Sequence, residues 1–218
     1  MTGKTHLAGG IAAAALLHAG RLLPELSPLL PGNTVALFGM VVPVVLPGTL
    51  LSVFGALLPD IDEPESMISN SPRAISQRLG RGRPSPGRNV RRSAGLFLRT
   101  GNVLTRALAM IVRLFAGGHR AATHTLLIAA MLSVAAFFLG DAVGFPSLWI
   151  WFLAGYLSHF ILDMMTPSGI ELFWPVSRGR WHVLPSFFRM RTGESGDIAL
   201  RLFLFIAAVA LFLWPYVR

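Results

Sequence analysis

A histidine and an aspartate four residues apart, His159 and Asp163, stand inside an apolar run, Gly155-Tyr-Leu-Ser-His-Phe-Ile-Leu-Asp-Met-Met-Thr-Pro167. On a helix that spacing puts both side chains on one face, about one turn apart. The other groups able to do chemistry are His6, the carboxylates of Leu58-Pro-Asp60-Ile-Asp62-Glu-Pro-Glu65, and the pair His119 and His124 in Gly117-Gly-His-Arg-Ala-Ala-Thr-His-Thr125. Neutral imidazole and carboxylate oxygen are ligands for zinc, manganese or iron. The set is large enough for one or two divalent ions, zinc foremost, with Asp60 or Asp62 free to bridge. The chain has no cysteine, which excludes disulfides and thiolate metal sites. His119 and His124 would lie about 140° apart on a continuous helix. They converge only if His119 occupies the Gly-Gly turn before the helix begins. A buried His159–Asp163 hydrogen bond with a purely structural job is the plain alternative.

The elements that must position these groups are apolar. Of 218 residues, 53% are hydrophobic and 13% charged, with a mean hydropathy of +0.61. Soluble domains carry about 25% charged residues, so the composition is that of a membrane protein, with ionisable groups that are costly in lipid and usually functional. The spacing of apolar runs predicts an all-α fold, a polytopic bundle of about five transmembrane helices in one domain over residues 1–218. The spans cover residues 7–23, 34–58, the stretch after His124 up to Leu139, 146–165 and 198–215. The first has the charged start and Ala-rich core of a signal peptide, but no small-x-small cleavage site follows it. His18, within it, lies well off the face of His6 and reads as structural. Pro43 and Pro47 should kink or break the second span. A basic Gly/Pro/Arg-rich loop follows at about residues 66–93. Over residues 96–115, Arg99, Arg106 and Arg113 recur every seven residues opposite an apolar face. That pattern predicts an amphipathic helix lying on the cytoplasmic face of the membrane.

Orientation follows from arginine. Sixteen of the 19 basic residues fall at the N-terminal end or in the two long connections, and Arg201, at the start of the fifth span, makes seventeen on one side. The positive-inside rule then places the N-terminus and both connections in the cytoplasm and the C-terminus outside. The polar clusters did not enter that derivation. It nevertheless brings His6, Asp60, Asp62, His119, His124, His159 and Asp163 to one level at the cytoplasmic end of four spans.

These motifs, in this order, resemble the YdjM family of bacterial inner-membrane proteins described as metal-dependent hydrolases. The matching pieces are His6, Leu57-Leu-Pro-Asp-Ile-Asp62, His119-Arg-Ala-Ala-Thr-His-Thr125, the run from Gly155 to Gly169, and Phe173-Trp-Pro175. Glu63 stands where the family has His, Ala121-Ala122 where it has Gly-Phe, and Thr125 where it has Ser. The Arg-rich loop lies outside the resemblance. The family overlaps with LexA-binding membrane proteins, which implies a cytoplasmic regulatory protein as a partner. It also implies a bacterial inner-membrane location and a metal-dependent hydrolase activity.

The expected function is hydrolysis of a phosphoester, a phospholipid or lipid-linked phosphate, at the cytoplasmic leaflet. His6, Asp60, Asp62, His119, His124, His159 and Asp163 are the expected metal ligands. Asp60, Asp62 and Arg120 are the expected catalytic groups, Arg120 as a phosphate contact. Membrane lipids are the expected partners, and the placement of the basic residues at a membrane face argues against nucleic acid. A non-catalytic scaffold that binds a cytoplasmic regulator through its basic loop is the alternative. A transporter would instead need polar residues along the whole bundle depth.

Overall fold

Alternating stretches of small and large apolar residues build five helices, seen in a computed structural model that describes residues 1–20, 30, 32–37, 39–62 and 123–217. The helices are α1 (Gly3–Gly20), α2 (Val45–Leu57), α3 (Leu126–Ala142), α4 (Leu148–Met164) and α5 (Ser195–Val217). Two short strands, β1 (Thr34–Leu37) and β2 (Met40–Pro43), pair antiparallel between α1 and α2. By contact density the chain forms two compact units, Met1–Pro59 with Ala121–Arg218, and Asp60–Arg120. A 3-10 turn, Leu58–Asp62, follows α2.

The hairpin corrects the expected second span. Residues 34–58 do not form one kinked helix; the helix occupies only the second half. Val42 precedes a proline and is driven out of the helical region. Gly39, at φ +81°, supplies the left-handed turn between the strands. Pro47 sits in the first turn of α2, where its missing N–H would have had no helical acceptor. The expected amphipathic helix at 96–115 and the basic loop at 66–93 lie outside the described residues.

Close backbone approach holds the bundle. Helix α4 packs on α1, α2 and α3, while α1 also packs on α2 and α5. A Cβ added at Gly10 of α1 would meet the Ala56 Cβ and Val53 Cα of α2 at 2.9 Å, and one added at Gly155 of α4 would overlap the Ser52 carbonyl of α2. Ser52 donates its hydroxyl to the Gly10 carbonyl at 2.8 Å in the same buried seam. Small residues with a buried side-chain hydrogen bond are the usual means of joining helices in lipid. Four of the large buried aromatic residues, Trp151, Phe152, Tyr156 and Phe160, come from α4.

The outside of the bundle is apolar. Leu50, Phe138, Phe203 and Ile206 are each about two-thirds exposed or more. In water each would forgo roughly 1.5–3 kcal/mol of burial; against hydrocarbon they lose nothing. Among the described residues, one helix is long and apolar enough to cross a membrane, over Ser195–Trp214. The apolar helices Val45–Asp60, Leu126–Ala142 and Leu148–Met164 are shorter. Seventeen residues, as in α3 and α4, rise about 26 Å, just short of a ~30 Å hydrocarbon core.

The connection after α4 folds back over that helix's end. The amides of Val183 and Met190 donate to the carbonyls of Met164 and Met165, both at 3.0 Å, and the Leu126 amide at the start of α3 donates to the Leu172 carbonyl. Carbonyls that a helix C-terminus leaves without partners are thereby satisfied, and α3 and α4 are tied together at one level.

Candidate metal centre

The buried stripe of α4 carries Phe152, Tyr156, His159 and Asp163 at helical spacing, so the apolar packing of the first two aims the last two at the same place. His159 is fully buried, and its Nδ1 lies 2.7 Å from the Ala56 carbonyl of α2. A carbonyl can only accept, so Nδ1 carries the proton and Nε2 keeps its lone pair in the neutral ring. That is the arrangement found in metal-binding histidines, whose second ring nitrogen donates to a carbonyl or carboxylate.

His124 reaches the same point from the turn before α3. Thr125 caps that helix by accepting from the Ile128 amide, and the buried Tyr156 hydroxyl donates to the Thr123 carbonyl at 2.6 Å. Thr123 Oγ1 lies 3.1 Å from His124 Nδ1. A cap and a tyrosine thus pin the two residues on either side of His124.

The three side chains converge on one face of the carboxylate. His124 Nε2 and His159 Nε2 are 3.1 Å apart, and Asp163 Oδ2 lies 3.4 Å from the first and 3.3 Å from the second. A triangle with these edges has its centre about 1.9 Å from each corner, against bond lengths of ~2.0–2.2 Å from zinc to imidazole nitrogen or carboxylate oxygen. A triangle of this size would suit a divalent first-row ion, with His124, His159 and Asp163 as the residues that would hold it. The other oxygen, Oδ1, lies 3.3 Å from His6 Nε2 and 2.9 Å from the Met1 backbone nitrogen. His6 is fully buried on α1, its ring stacked on His159 with centroids 3.8 Å apart and planes 16° apart. Asp60 stands on the 3-10 turn that follows α2. One donor atom from each of Asp60, His124, His159 and Asp163 lies within 4.8 Å of the others, a group that could hold a metal ion.

Of the residues singled out in the sequence, the structure thus brings together His6, Asp60, His124, His159 and Asp163. The Asp62 side chain, His119 and Arg120 lie outside the described residues. His182 is half-buried in the connection after α4, with Nε2 3.2 Å from the Pro167 carbonyl, and neither it nor Glu171 belongs to the group. His18 packs against Phe212, three to four turns up α1 from His6.

Sequence reasoning missed the supports. Asp197, in the first turn of α5, is buried and accepts from the Thr5 hydroxyl at 2.6 Å and from the Gly193 amide at 2.9 Å. It fastens the first turn of α1, and so the residue next to His6. An acidic residue opening an apolar helix was a visible signal. Its partner, 192 positions away, was not. Tyr156 was visible only as a member of the stripe.

The sequence profile of a family described as YdjM inner membrane protein matches residues 1–217. Two inner membrane proteins named YdjM, one from Escherichia coli strain K12 and one from Shigella flexneri, are each 28% identical over 190 residues. In each case the match covers 83% of this chain and 67% of the relative. No solved structure matches.

Proposed function

The chain belongs to the YdjM family of inner membrane proteins, and on that premise we propose that it is a metal-dependent hydrolase of phosphoesters, acting on a phospholipid or lipid-linked phosphate at the cytoplasmic leaflet. One observation carries the proposal: two imidazole Nε2 atoms and a carboxylate oxygen form a triangle of bonding size, with one imidazole fixed as a lone-pair donor by the Ala56 carbonyl. A structural His–Asp pair needs one hydrogen bond. It has no use for a second and third imidazole on the same carboxylate.

His124, His159 and Asp163 hold the ion, with Asp60 the fourth ligand. His6, on the far carboxylate oxygen, is a further ligand or the group that orients it, and Asp62 and His119 are proposed as further ligands on their sequence motifs alone. Zinc suits the donors best, with manganese or iron next. When bound, such an ion supplies a water of lowered pKa and a clamp for phosphoryl oxygens. His6, His124 and His159 are buried, while Asp60 and Asp163 are the partly accessible members. Arg120 serves as the phosphate contact. The distribution of basic residues supports a multi-pass arrangement of five apolar segments, with the N-terminus and this site on the cytoplasmic side.

The test is elemental analysis of detergent-purified protein, followed by a phosphoester panel with and without chelator. Wild type should hold stoichiometric metal and turn over a phosphoester; His124→Ala, His159→Ala and Asp163→Ala should lose both. If wild type takes up no metal from resupplied divalent ions, or the three variants hold as much as it does, the hydrolase proposal is wrong and a non-catalytic scaffold takes its place.

A further inference from the structure

A groove runs along the bundle between α1, α4 and α5, and one of its ends lies about one helical turn from the level of the metal cluster. Its cavity is about 850 Å³ and its lining is almost wholly apolar. At one end it is lined by Gly9, one turn after His6, and by Ser158 and Leu162, each the residue before a member of the cluster. At the other end it is lined by Gly20 and Trp214. Along α1 it extends from Gly9 to Gly20, about 16 Å of helix rise. That is half of a ~30 Å hydrocarbon core, the depth of one leaflet.

The shape follows from residue size. Gly9, Ala12, Ala13 and Ala154 leave a trough where α1 and α4 face it, and Leu204 and Leu211 of α5 form the opposing wall. Outside the trough, large side chains such as Phe138 and Phe203 are exposed. Lipid covers such a surface in any orientation. A trough one leaflet deep, with one end about a turn from the level of His6 and Asp163, suits a single chain whose polar end lies toward the cluster.

We propose that this groove seats one acyl chain of a phospholipid and thereby sets its phosphate headgroup at the cluster formed by His6, His124, His159 and Asp163. The inference rests on the hydrolase proposal for the use made of the headgroup, but not for occupancy of the groove. It narrows the substrate from phosphoesters in general to a lipid held by its tail. The groove is bounded by apolar side chains over its length, so it offers a soluble phosphoester nothing to bind.

The full chain, reconstituted in lipid nanodiscs with a small fraction of phosphatidic acid carrying a diazirine in one acyl chain, tests this directly. After photolysis, adducts mapped by mass spectrometry should concentrate on Ala13, Leu157, Ile161 and Leu204, several-fold over those on Met131 and Phe138 of the outer face. Ala13→Trp, which fills the trough, should remove at least four-fifths of the groove adducts while leaving metal content unchanged. Ala154→Phe serves the same purpose should that variant fail to fold, and Ala130→Trp on the outer face of α3 is the control. Unlabelled dioleoyl phosphatidic acid should compete about tenfold better than diolein. His159→Ala should keep the groove adducts, so labelling without turnover counts against the hydrolase proposal alone. Adducts spread over the outer faces as densely as over the groove, adducts unmoved by both filling variants, or equal competition by the two lipids would each overturn the inference.

Discussion

Replacing Tyr156 with phenylalanine removes one oxygen and no packing volume, yet it should weaken metal binding. The Tyr156 hydroxyl donates to the Thr123 carbonyl at 2.6 Å within the core, and that carbonyl belongs to the residue before His124. A buried acceptor deprived of its donor costs about 1–3 kcal/mol, whether or not metal is present. The second effect appears only with metal. Groups that orient ligands without touching the ion typically contribute 10–100-fold in affinity. At an ion concentration about a hundred times the wild-type Kd, binding stabilises the fold by ~2.7 kcal/mol. With Kd raised 10- to 100-fold, the same concentration leaves only ~1.4 to ~0.4 kcal/mol. Thermal unfolding in detergent with zinc and with chelator separates the two effects. The chelated proteins differ by the hydrogen bond alone, and the zinc-induced increment reports the ligand. An increment in Tyr156→Phe equal to that of the wild type would refute the view that this bond holds His124 in place.

His6→Ala should keep near-stoichiometric metal but bind it about 10–100-fold more weakly, because His6 faces Oδ1 and not the donor triangle; a competition titration against a chromophoric chelator reads the difference. Asp197→Asn should cost about 1.5–3 kcal/mol of stability by replacing charge-assisted bonds to Thr5 and Gly193, measured by the same unfolding assay. Gly155→Ala should cost roughly 1–3 kcal/mol by overpacking the α2–α4 seam, with metal affinity falling as well, since the Ala56 carbonyl that fixes His159 lies one turn along that seam. In the cysteine-free chain, a cysteine at Asp141 should react with an impermeant reagent in intact cells and one at Gly179 should not; the reverse would invert the proposed orientation.

Residue type and period carried the helices. The apolar runs after His124 and up to Met165 became α3 and α4 because a long apolar segment must satisfy its own backbone, and a helix does so locally. His159 and Asp163 were legible as a pair for the same reason: an i,i+4 relation is fixed by helix geometry alone. The run at 34–58 shows where that logic ends. Its composition suits a span, but Val42 before Pro43 and a left-handed Gly39 turn its first half into a hairpin, a choice made by two backbone dihedrals that hydropathy does not sense. The metal cluster lies further beyond sequence. That His6, Asp60 and His124 belong with His159 could be inferred from a common membrane level. Which nitrogen faces which oxygen could not. That was decided by the Ala56 carbonyl, which sets the His159 tautomer, by Tyr156 reaching the turn before His124, and by Asp197 fastening the start of α1. Each is a contact between residues dozens to nearly two hundred positions apart, made only once small side chains at Gly10, Ser52 and Gly155 allow the helix backbones to touch.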